Sequence, residues 1–408
     1  MTRAHWLICG LALLCLASAA AFAAEEKPVG PPAVEVHGYM QARYYLNATV
    51  NVTKDGSGRI IDEEEDSRLR WERISLSGLT RLSNGKTGYA EIYIHPWLPS
   101  GDPVFLYLES LYLDVPAGPG AKFRIGKGRN LVFGITPAYG NRKTTNYSPL
   151  EEAFTMDRVL GIQYLQKQGD DEFGFGILNS QRPGARRIGM MADLQMDRGS
   201  LADTTVVHLC DRDDPAHRSG TLQGTARYGR QMGALNAGLS ARTGYLDKTD
   251  AEALAKTFKA YLAERHREPS RTAQRYGIDA TYNEMPFYGT FQYYGGTTGG
   301  IRSSGWQVLL GAEPSKQCTG IWRDMSPACK GLFLRYGEMN VGVPPTSSSV
   351  TWDTSQLAVS YVLPVRCKRL GGYPKWLQFE YEWNREDPPV GTSDIPNDVF
   401  VIELFTAF

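Results

Sequence analysis

Val399-Phe400-Val401-Ile402-Glu403-Leu404-Phe405-Thr406-Ala407-Phe408 closes the chain and decides how the rest is read. Counting back by twos from Phe408 gives Thr406, Leu404, Ile402 and Phe400. The other register is mixed: Ala407, Phe405, Glu403 and Val401. Strict period two is a strand pattern, and about ten residues is what a tilted strand needs to cross a bilayer. A terminal strand with Glu403 on its mixed face suits the closing strand of a transmembrane β-barrel, or the last strand of a soluble sheet. The remainder of the sequence separates these readings.

Residues 1–23 read as a secretory signal peptide. Arg3 supplies the positive end, Trp6 to Leu16 the apolar core, and Ala21-Phe22-Ala23 the small-residue cleavage site. Leu14 is too large for the position before a lipidated Cys15. Beyond this leader no stretch approaches about 18 uninterrupted apolar residues, which argues against a helical membrane protein. Basic and acidic side chains balance at 44 each, so bulk charge gives no argument for nucleic acid as a partner. A content of 43 glycines, 22 tyrosines and 8 tryptophans suits curved, closely packed strands with aromatic membrane borders, for which Trp97 and Trp376 are candidates. With no linker or low-complexity tract, residues 24–408 read as one large closed sheet.

The alternation recurs along the chain. The first mature strand sets Val34, Val36, Gly38, Met40 and Ala42 against Glu35, His37, Tyr39, Gln41 and Arg43. The second sets Ile74, Leu76 and Gly78 against Arg73, Ser75 and Ser77, before a tight turn at Ser83-Asn84-Gly85. Further strands are expected near 89–95, 106–115, 122–128, 158–166, 172–179, 221–229, 234–245, 275–283, 287–294, 305–313, 331–337, 356–363 and 376–383. With the tail these make 16 strands, and 18 if 187–210 adds a hairpin. Connections near 82–86, 116–120, 168–171, 230–232 and 285–286 are short; those near 47–67, 129–157 and 246–274 are long. Short turns on one side and long loops on the other are expected of an outer-membrane barrel in a Gram-negative-type bacterium, embedded in outer-membrane lipid. Within 246–274, Thr249 and Glu252 form a candidate capping box. Leu254, Phe258 and Leu262 repeat at helical spacing, so a short helix capping the mouth or binding a partner is expected.

Cys9 and Cys15 fall in the leader, which leaves Cys210, Cys318, Cys329 and Cys367. Cys318 and Cys329 flank one short connection and are the disulfide candidates, with a stabilisation of about 3 kcal/mol in the chain-entropy model. Neither a CxxC pair nor a nearby histidine supports zinc there. No cofactor is implied.

Several stretches resemble the phosphate-selective porins of the O and P type. They are Gly38-Tyr39-Met40-Gln41-Ala42-Arg43, the run from Arg68 to Gly78, and Phe123-Arg124-Ile125-Gly126-Lys127-Gly128-Arg129 followed by Phe133-Gly134. Asp157-Arg158-Val159-Leu160-Gly161-Ile162, Gly176-Ile177-Leu178-Asn179, Ala226-Arg227-Tyr228 and Leu235-Asn236-Ala237-Gly238-Leu239-Ser240 continue the likeness, as do the hairpin from Tyr276 to Tyr294 and the terminal strand. The resemblance implies a 16-stranded, usually homotrimeric, water-filled pore whose third outer loop, here 129–157, folds inward as the constriction. It also implies that Phe408 is the signal read by the outer-membrane barrel assembly machinery. Asn130-Leu131-Val132 stands where that family usually has a proline, and 182–220 looks like an insertion. Phosphate selectivity is not carried over.

A pore of this kind would pass small ions or solutes by size and field, with charged side chains at the constriction selecting one sign. Strand register offers Arg43, Arg73, Lys127, Arg129, Arg242 and Arg335 as pore-lining residues, against Glu91, Glu380, Glu382 and Glu403. Lys127 and Arg129 share the face of Ile125, so they need a local bulge to reach the interior. The basic fifth strand motivates a weak anion preference. Competing readings are a barrel enzyme, for which no serine motif accompanies His37, His95, His208, His217 or His266, and a sleeve around a separate electron carrier.

Overall fold

Period-two alternation organises sixteen strands into one closed antiparallel barrel. The computed structural model describes residues 33–47, 52–54, 60–63, 67–95, 105–135, 143–155, 158–180, 183–186, 208–211, 220–257, 270–284, 286–312, 331–343, 350–364, 375–387 and 398–408. The signal peptide, Trp97, Phe258, Leu262 and the disulfide candidates Cys318 and Cys329 lie outside these residues.

The first eight barrel strands are β1 (Ala33–Asn47), β2 (Ser67–Arg81), β3 (Thr87–His95), β4 (Phe105–Gly118), β5 (Ala121–Arg129), β6 (Arg158–Gln168), β7 (Asp171–Asn179) and β8 (Leu222–Met232). The second eight are β9 (Leu235–Tyr245), β10 (Thr272–Glu284), β11 (Phe287–Thr298), β12 (Ile301–Ala312), β13 (Gly331–Val343), β14 (Val350–Pro364), β15 (Lys375–Asp387) and β16 (Val399–Ala407). Each pairs with its neighbours in the chain, and β16 returns to β1 with Tyr39 opposite Ala407 and Arg43 opposite Glu403. Closure leaves no free sheet edge, so ladder groups are satisfied without water, as hydrocarbon requires.

Side-chain direction follows the alternation. On β16 the mixed register turns inward: Val401, Glu403, Phe405 and Ala407 are buried, while Leu404 stands exposed outside. Val34, Val36, Leu76, Ile125, Phe175 and Leu310 likewise face outward, and an apolar exterior around a polar interior makes this a transmembrane sheet. At the seam, Gly38 and Phe408 exchange two backbone hydrogen bonds of 2.8 Å. The Phe408 ring lies over the gap left by Gly38, where a Cβ would come within 2.5 Å of it.

Of the segment that could have added two strands, 187–207 lie outside the described residues, and the described barrel closes with sixteen strands. Pro183–Arg186 pairs with His208–Asp211 as a separate two-stranded sheet. The first long connection holds a similar small hairpin, Val52–Lys54 with Ile60–Glu63. Asn84 and Gly85 adopt positive φ, 60° and 70°, as a tight β-hairpin turn requires. The division into short and long sides has exceptions. Gly299 and Gly300 make a two-residue turn on the long-loop side, whereas connections 313–330 and 365–374 fall on the short-turn side.

Two sequence expectations need correction here. Trp376 does not mark a membrane border: it is buried inside the barrel, stacked on Phe405 with ring centroids 3.6 Å apart, because its register on β15 is the inward one. The helix between β9 and β10 is α2 (Lys248–Thr257), but Thr249 is not its cap. Asp247 takes that role, its Oδ1 accepting from the Thr249 N–H at 3.0 Å. Ala251 and Leu254 are buried in a cluster with Leu246, Ala273, Ile301 and Val341, which seats the helix on the rim.

Candidate functional site

The described parts of the connection after β5, 130–135 and 143–155, lie inside the barrel. Its first half, 130–135, lies along the inner wall. The Val132 carbonyl oxygen accepts from Thr225 Oγ1 at 2.7 Å, the Gly134 N–H donates to Ser240 Oγ at 3.1 Å, and the Ile135 N–H donates to the Tyr294 hydroxyl at 2.9 Å. Gln292 Nε2 donates to the Ile135 carbonyl oxygen at 3.0 Å. Glycines at 174 and 176 on β7 give the space that the Val132 side chain fills. The second half carries α1 (Pro149–Phe154), capped by Ser148 and Glu151 in a reciprocal capping box. All six helical residues are buried, and Arg275 donates to the Phe154 carbonyl oxygen at 3.2 Å.

Between these halves, residues 143–148 are fastened to β1 and to β13–β15. Arg43 donates to the Thr145 carbonyl oxygen at 2.5 Å and to Asn146 Oδ1 at 3.0 Å, while its Nε pairs with Glu403 at 2.6 Å. Arg335 donates to Thr144 Oγ1 at 2.6 Å and to the Asn146 carbonyl oxygen at 2.8 Å. Glu382 and Glu151 flank it at 3.7 and 4.0 Å. Glu380 accepts from the Thr145 N–H and hydroxyl at 2.8 and 2.7 Å. Ser, Thr and Asn in this stretch offer short polar side chains and open backbone groups, which the wall's arginines and glutamates bind.

The six basic residues singled out in the sequence therefore meet different fates. Arg43 and Arg335 face inward as their register requires, but both are 2% exposed beneath the loop they hold, so they are fasteners and not water-lining charges. Arg242 is equally buried, its Nε donating to Gln223 at 2.6 Å. The Arg73 guanidinium lies 4.7 Å from the centroid of the Tyr93 ring. Arg129 sits at the end of β5 opposite Arg158, within electrostatic reach of Glu91 and Glu109. Arg158 and Glu109 form a buried ion pair. Lys127 is not in the lumen. It pairs with Leu111 and Leu160, both exposed outside, and its Nζ donates to the Leu108 carbonyl oxygen at 2.8 Å. The bulge it needed is absent: β5 keeps continuous register with β6, so Lys127 stays on the face of Ile125.

The interior is consequently lopsided. Toward β13–β16, β1 and β3 it is packed with Tyr39, Tyr93, Phe333, Trp376 and Phe405, together with Tyr147 of the loop. Lys143 caps this packing, its Nζ 5.1 Å from the Tyr288 ring centroid and 5.3 Å from that of Phe333. Against β4–β8 a cavity of about 510 Å³ remains, reached by Lys122, Lys167, Glu172 and Arg227. Register alone reveals these residues, since Lys122 and Arg124 occupy the face opposite Phe123 and Ile125. Lys122 and Arg124 both bind Asp114 at 2.8 Å, Lys167 pairs with Glu172 at 3.1 Å, and Arg227 forms a bidentate pair with Asp279 two strands away. To reach it, the Arg227 guanidinium crosses over Gly238, where an added Cβ would stand 2.4 Å from one of its nitrogens. Gly238→Val is expected to displace Arg227 and strand Asp279, which is fully buried, at a cost of about 3 kcal/mol. A fall in the midpoint of thermal unfolding, followed by loss of heat-modifiable gel mobility, would register it.

No protein-family model matches the sequence, and no relative is found among curated proteins. Solved structures do resemble the fold. OmpT of Vibrio cholerae, an outer membrane protein described in a trimer form, aligns at a TM-score of 0.52 and 10% identity, over 93% of this chain and all of that one. OprB of Pseudomonas putida aligns at 0.52 and 7% over 92% and 94% of the two chains. OmpF of Salmonella typhi in complex with daunomycin aligns at 0.50 and 9% over 94% and 100%. At these identities the likeness is one of fold.

Proposed function

We propose that the protein is an outer-membrane porin, a channel for passive diffusion of small hydrophilic solutes or ions. The observation that carries this reading is the loop fastened to the inner wall of a closed membrane barrel at 130–135 and 143–154, with a charged cavity of about 510 Å³ left beside it. Resemblance to the O and P type phosphate-selective porins supports a finer placement in that group. The trimer form described for a protein of similar fold supports a homotrimer. Phe408 serves recognition by the barrel assembly machinery. A sleeve around a folded electron carrier is disfavoured, because a cavity of about 510 Å³ beside the loop is far smaller than any folded domain.

Discrete conductance steps of the purified full chain in planar bilayers would support the channel, and persistent silence would remove it. Weak anion preference is the expected sign, since cations outnumber carboxylates on the open wall. Reversal potentials in a salt gradient check this, and a cation-selective shift would rule it out.

A further inference from the structure

We infer that the open wall of the lumen holds a binding subsite for small amphipathic anions, a monocarboxylate carrying a short apolar tail. The inference rests on the channel reading above and names a solute class for it. Two features of the cavity support it, and they are independent of each other.

The first is how its ion pairs are layered. Lys122 is 43% exposed and its partner Asp114 13%; Lys167 is 60% exposed and Glu172 41%; Arg227 is 12% exposed and Asp279 0%. In each of these three pairs the cation is more exposed than its carboxylate, while Arg124, which shares Asp114 with Lys122, is withdrawn at 11%. A passing solute therefore meets positive ends, with Glu172 the one carboxylate well forward among them. An arriving carboxylate can accept from the outer N–H groups of these side chains without breaking the pairs behind them, because lysine has three donors and arginine five.

The second feature is apolar. Pro116, Leu131, Leu165 and Gly174 line the same cavity. Leu131 is 37% exposed, and Leu165 packs against the buried cluster of Val132, Val159 and Leu178. Such a patch does nothing for chloride or phosphate, while a neutral solute leaves the forward cations unused. A charged head with a hydrocarbon tail uses both, as mostly apolar ligand sites with a few placed polar groups do.

The test is current block in planar bilayers by hexanoate, with acetate and hexanol as the probes lacking tail and charge. Hexanoate is expected to reduce current at concentrations where the other two do not. In a Lys122→Gln, Lys167→Gln double variant, both positions being solvent-exposed, its half-blocking concentration is expected to rise roughly tenfold. Equal block by all three probes, no block by hexanoate, or unchanged block in the double variant would overturn the subsite and leave the channel standing. Absence of any discrete conductance would overturn both.

Discussion

Replacing Arg335 with alanine is expected to enlarge and destabilise the single-channel current while lowering the stability of the barrel. Arg335 is buried and bridges β13 to the loop through Thr144 and the Asn146 carbonyl oxygen, with Glu382 and Glu151 beside it. Its Nη2 also donates to Gln356 at 2.5 Å. Truncation removes the loop's hold on this wall and leaves neighbouring carboxylates without their cation. Breaking a buried ion pair in this way costs about 3–5 kcal/mol. Part of that strain is relieved if residues 143–148 swing away and admit water, which widens the passage. Arg335→Lys keeps the charge but not the planar fork that reaches Thr144 and Gln356 together, so an intermediate conductance is expected with folding retained. Recordings from both variants decide the matter. Wild-type conductance in a folded Arg335→Ala barrel would show that the remaining contacts, among them those of Arg43 and Glu380, suffice to hold the loop.

Deleting Phe408 is expected to impair membrane insertion far more than the conductance of the molecules that do insert. Two roles converge on this residue, the proposed assembly signal and the covering of the Gly38 gap, and they can be separated. Gly38→Val keeps Phe408 but places a Cβ 2.5 Å from its ring and 2.8 Å from the Ser75 carbonyl oxygen. Overpacking of this kind costs about 1–3 kcal/mol, here at the strand pair that closes the cylinder. If recognition of the aromatic terminus alone governs insertion, Gly38→Val reaches the membrane in normal amounts and only its thermal stability falls. If seam packing also matters, both variants accumulate as unfolded chain. Surface levels by protease accessibility give the answer, and normal levels of the truncated protein would refute the assembly role.

The fold was legible because a two-residue period is a direct projection of a two-faced sheet. All sixteen barrel strands fall where alternation places them, and Glu403 turns inward on β16 as its mixed register implies. Less was legible at the candidate site, because register states which face a side chain occupies and not what lies on top of that face. Arg43 and Arg335 have the alternation of pore-lining residues, yet a segment more than 100 positions from either along the chain covers them. Lys127 shows the reverse case: chemistry argued for the lumen, and unbroken register overruled it. Trp376 was drawn toward the lipid border by residue type, whereas its place on β15 sends it inward against Phe405. Arg227 illustrates a signal present but unused, since Gly238, diagonally across the β8–β9 pair from it, marks the path of a long side chain.

The seam also sets an order of events. Arg43 and Glu403 are separated by 360 residues, and their 2.6 Å bond exists only once the first and last strands have met. The same arginine then grips Thr145 and Asn146, so part of the loop's anchorage is completed only when the first and last strands meet. Closing so large a chain loop is entropically the slowest kind of contact to form. An assembling barrel is therefore wide while its ends are apart, and its narrowing belongs to the last moments of maturation.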